Sequence, residues 1–131
     1  MENRILYTYI LISLCILIGC SSKERISLEV DFDNVDSIKI VSGSGEAVKL
    51  DKNQKIKIIE MLENIDIDYV EQEDFDSTGY NYTICLFYSQ TTSGDNLIIN
   101  GSNIIKHNKK LYKLAGDGLN LSFFENLFNK E

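Results

Sequence analysis

The chain begins with one apolar stretch and then settles into alternating patterns that continue to its end. Ile5 to Ile18 is a run of 14 residues broken only by Thr8 and Ser13. Crossing a bilayer takes about 20 apolar residues at about 1.5 Å each. The run is short for a span and has the length of a signal peptide's hydrophobic region. Further on, Ile26, Leu28, Val30 and Phe32 alternate with Ser27, Glu29, Asp31 and Asp33. That period of two predicts a half-buried strand. After a turn at Asp33-Asn34, Ser37 to Ser42 predicts a second strand. Gly43-Ser44-Gly45 predicts a hairpin turn, with Glu46 to Leu50 as the returning strand.

The period then changes. Asp51 can cap a helix, and Gln54, three residues on, can complete a capping box. Ile56, Ile58, Ile59, Met61 and Leu62 form one broad apolar face, with Asn64 as the stop. Ile65, Ile67 and Tyr69 alternate with Asp66 and Asp68 as a further strand, and Glu71 to Gly79 reads as an acidic loop. Tyr80 to Ser89 is the most strand-like segment, with apolar residues on both faces, which predicts a central position. Asn96 to Ile99 and Ile104 to His107 flank Asn100-Gly101-Ser102-Asn103, a strong hairpin signal. A turn at Asn108-Lys109-Lys110 leads into Leu111 to Leu114. Gly116-Asp117-Gly118 precedes a last helix, with Ser122 and Glu125 as its capping box and Leu121, Phe124, Leu127 and Phe128 as its stripe. Six or seven short strands in hairpin order predict an α+β fold. An antiparallel sheet would carry two amphipathic helices packed on one face.

Leu17-Ile18-Gly19-Cys20 closes the apolar run, with Arg4 near its start. This pattern resembles the lipobox of bacterial lipoproteins of the Gram-positive type. The resemblance implies that Cys20 carries a diacylglyceryl group and that cleavage falls between Gly19 and Cys20. The chain then divides into a signal peptide (1–19), a lipidated cysteine and tether (20–25) and one α+β domain (26–131). The outer face of the cytoplasmic membrane is the expected location. Val35-Asp36-Ser37-Ile38-Lys39-Ile40, Ser42-Gly43, Leu62, Gly79-Tyr80 and the stretch Ile104 to Tyr112 also resemble a family of small lipoprotein domains of unknown function. That likeness covers about residues 35 to 128 and implies location and fold, not catalysis.

Composition narrows the partners. The chain holds 20 acids against 13 bases, and losing Glu2 and Arg4 with the signal leaves the balance at −7. Such acidity argues against a nucleic-acid partner, since a large basic surface is lacking. The expected contacts are the membrane, through the lipid anchor, and an extracytoplasmic protein or other envelope component; a monomer is expected. Of the three cysteines, Cys15 leaves with the signal and Cys20 takes lipid. Cys85 alone remains, so no intramolecular disulfide can form.

Candidate chemistry is sparse. His107 falls at an expected hairpin tip with no orienting partner nearby in sequence, and reads as a solvated turn residue. Cys85 lies within a strand and reads as a small buried residue. Asp74 and Asp76 in Asp74-Phe75-Asp76-Ser77-Thr78-Gly79 have the oxygen rhythm of a calcium loop, although Cys85 stands where an EF-hand needs its glutamate. Asp31 to Asp36 is a second oxygen-rich stretch, and both read first as turns. Glu60 to Asp76 carries eight acids and no base, whereas Lys106 to Lys113 carries four lysines and no acid. This split could orient a tethered domain, with the lysine hairpin facing the membrane. The leading expectation is a non-enzymatic, lipid-anchored extracytoplasmic binding or accessory domain that needs no cofactor. The alternative is a small envelope enzyme using the carboxylate-rich loop with a metal.

Overall fold

A computed structural model describes residues 25–72, 80–89 and 94–129. They form a seven-stranded sheet with two α-helices, the α+β architecture that the alternating patterns predict. The strands are β1 (Val35–Ser42), β2 (Ala47–Lys49), β3 (Ile67–Gln72), β4 (Tyr82–Tyr88), β5 (Gly94–Asn100), β6 (Ile104–His107) and β7 (Lys110–Leu114). The helices are α1 (Lys52–Glu63), between β2 and β3, and α2 (Leu121–Phe128) at the end. The spatial order is β2-β1-β4-β5-β6-β7-β3, and every neighbouring pair is antiparallel. β4 lies inside the sheet, as its two apolar faces predict.

Register explains the core. Ile40, Ile84 and Leu97 stand abreast, as do Tyr82, Ile99, Ile105, Tyr112 and Val70 in the next row. These rows lie under Ile58 and Leu62 of α1 and Phe124 and Leu127 of α2, so both helices cover one face. Tyr82 stacks on Phe124 with ring centroids 5.0 Å apart and on Phe128 at 5.9 Å, seating α2 over the start of β4. Asp51 caps α1 with the full capping box: the Gln54 N–H donates to its carboxylate at 2.8 Å, and its own N–H donates to the Gln54 side chain at 2.9 Å. Asn64 ends the helix. The apolar face is narrower than the sequence predicts, because Ile56 is 45% exposed.

Several expectations need correction. Residues 26–33 do not form a strand. They run as an extended strap over the covered face and end in a 3₁₀ turn, Phe32–Asn34. Leu28 is buried and Val30 and Phe32 pack on the core, so alternation reported the buried side correctly but not the ladder partner. The sheet edges are already taken by β2 and β3. β3 starts at Ile67, not Ile65, and runs through Glu71 and Gln72, which pair with Leu111 and Lys110. A register shift between Ile67 and Tyr69 turns Val70 inward and leaves Tyr69 exposed. α2 is capped by Asn120, whose side chain accepts from the Ser122 N–H, rather than by Ser122 with Glu125. The hairpin tip after β6 is Asn108-Lys109 alone, both at positive φ, and Lys110 is already part of β7.

Candidate functional site

Three strands carry polar side chains onto the covered face at one end of the sheet. Tyr88 continues the inward series of Ile84 and Leu86, and Asp95 stands directly opposite Leu86. His107 continues the inward series of Ile105. The correction for His107 follows from this parity: it closes β6 just before the tip and is 3% exposed. Its Nε2 lies 3.2 Å from Asp95 Oδ1. The approach does not meet hydrogen-bond geometry, so neither ring nitrogen is satisfied among the described residues.

The opposite oxygen of the same carboxylate is better placed. Tyr88 Oη donates to Asp95 Oδ2, while the Asp31 backbone in the strap lies close to the Tyr88 hydroxyl. Burial alone would raise the Asp95 pKa, but Tyr88 and His107 together outweigh it, and the carboxyl titrates below its ordinary value. Burial pushes the Tyr88 phenol well above its usual range, reinforced by the hydrogen bond to Asp95 and the neighbouring acids. The strap is held at a second point, where Lys110 Nζ lies 3.0 Å from Glu29 Oε1. The Glu29 backbone also lies close to the buried Tyr112 hydroxyl. A third point is the Ser89 N–H, which donates to the Asn34 carbonyl at 3.1 Å.

This cluster clamps the strap to the sheet. Asp95 supplies the carboxylate neighbour that His107 lacks in sequence, yet Cys85 projects from the opposite face of β4. Burial raises the Cys85 thiol pKa, with Lys39 only partly offsetting it, so the neutral thiol dominates. Gly19, Cys20, Asp74 and Asp76 lie outside the described residues. Asp31 to Asp36 forms the 3₁₀ turn and the start of β1, with the Asn34 side chain donating to Asp31. No group of three or more metal-ligating side chains occurs among the described residues.

The lysine run is not a single basic face. Lys110 points to the covered side and pairs with Glu29, whereas Lys106 and Lys113 belong to the opposite face. There they share the sheet surface with Lys39, which stands opposite Lys49, and with Phe87, which stands opposite Ser37. Ser37, Lys39, Lys49 and Phe87 line an open cleft of about 250 Å³. Spacing by two along β1 and β4 could have revealed this patch, but the Lys39–Lys49 neighbourhood needed the hairpin register. Comparison with protein-family models, curated proteins and solved structures finds no match.

Proposed function

We propose that the protein is a lipid-anchored extracytoplasmic binding or accessory domain, held by Cys20 on the outer face of the cytoplasmic membrane. One observation carries this reading: Leu17-Ile18-Gly19-Cys20 closes a short apolar run only five residues before Arg25. Among the described residues, the buried core is drawn from positions between Leu28 and Leu127. No helix among the described residues is long and apolar enough to cross a membrane. Two acyl chains on one cysteine hold far more firmly than one, at about 0.8 kcal/mol per buried CH₂.

Replacing the cysteine tests the reading. Cys20→Ala should abolish incorporation of a labelled fatty acid and shift the protein out of the membrane fraction or leave it unprocessed. Normal processing with equal membrane retention in the variant would overturn it.

A further inference from the structure

We propose that Lys39, Lys49 and Phe87, on the helix-free face of the sheet, are the surface on which the anchored domain lies against an anionic bilayer. The proposal rests on the membrane anchoring argued above. Its starting point is an unfavourable pairing. Lys39 and Lys49 are directly opposed across the β1–β2 ladder, where like charges destabilise. Neither forms an ion pair with a described acid, in a chain with 20 acids to choose from. The neighbouring rows of β1, β2, β4 and the start of β5 hold Ser37, Val41, Ala47, Thr83, Cys85, Phe87, Gly94 and Asn96, with no carboxylate among them. These paired rows carry two lysines and no carboxylate, so a locally basic patch persists on an acidic protein.

Phe87 fits the same partner. It is 41% exposed, diagonal to Lys39 across β1 and β4, and forms one wall of the cleft that the two lysines line. Two ammonium groups beside an exposed ring match a bilayer interface, where anionic headgroups lie above the apolar acyl region. A free protein would gain little from so small a patch. Tethering changes the balance, because a short linker raises the effective concentration to about the millimolar range. Five residues from Cys20 to Arg25 span at most about 18 Å, which keeps the domain close to the surface that holds the anchor.

The test uses the full lipidated chain in vesicles of phosphatidylcholine alone or mixed with phosphatidylglycerol. A membrane-impermeant amine reagent and mass spectrometry read each lysine, with Lys57 on the exposed side of α1 as the internal control. Labelling of Lys39 and Lys49 relative to Lys57 should fall severalfold in the anionic vesicles. It should recover in about 1 M salt, where the screening length shrinks to about 3 Å. Flotation with the vesicles should be the same throughout. Equal labelling in both vesicle types, with flotation intact, overturns the docking face and leaves the anchor standing. Loss of flotation overturns the anchor and the proposal together. Protection that follows protein density rather than lipid charge assigns the patch to a second copy of the chain, and also overturns it.

Discussion

His107 Nε2 sits 3.2 Å from Asp95 Oδ1, and the other oxygen of that carboxylate takes the Tyr88 hydroxyl. One acid thus holds together the ends of three strands beneath the strap. The Asp95 pKa is lowered in the folded protein from an ordinary value of 3.8. A depressed carboxylate stabilises the fold above its unfolded value, and that stability is lost as pH falls through the folded value. Asp95→Asn should therefore flatten the acid limb of a denaturation profile below about pH 4, while lowering stability near neutrality. An acid limb identical to that of the parent would show that Asp95 is not coupled to folding.

Tyr88→Phe keeps the ring but removes the hydroxyl that donates to Asp95. Leaving partly buried groups unsatisfied costs about 1–3 kcal/mol. Urea unfolding should show a loss of that order. The phenol pKa is raised in the fold, so its contribution is complete below the ordinary value of 10.0 and disappears as pH climbs through the folded value. Parent and variant should thus converge in strong alkali.

The α1 capping box gives a cleaner number. Asp51→Ala should cost about 0.5–2 kcal/mol, the usual range for a lost N-cap. An unchanged urea midpoint would place the start of the helix elsewhere.

Gly118 has φ +69°, and a Cβ there would meet the Ser102 carbonyl oxygen at 1.9 Å. The same carbonyl accepts from the Leu119 N–H at 2.7 Å, just before α2. Gly118→Ala should cost at least about 1–3 kcal/mol through strain and displacement of this turn. A melting temperature within error of the parent would show that the turn yields without cost.

Phe124 is fully buried and stacks on Tyr82. Phe124→Ala should remove about 3–5 kcal/mol. A smaller loss, with Tyr82 fluorescence unchanged, would mean that α2 contributes little to the core.

Sequence alone determined the periods, and with them the fold class, the Asp51 cap and the two tight hairpins around β6. These depend on neighbours a few residues apart, where backbone hydrogen bonding and side-chain alternation act directly. It also marked Leu28, Val30 and Phe32 as apolar on one side. It could not show that they belong to a strap, because an extended segment and a strand share a period and differ only in whether a ladder partner is free. His107 was misread for a related reason. Its carboxylate neighbour, Asp95, lies 12 residues away and comes near only through the β5–β6 register. The tertiary structure likewise sent Lys110 to the strap and set Lys39 against Lys49, since strand pairing, not sequence distance, decides which charges meet.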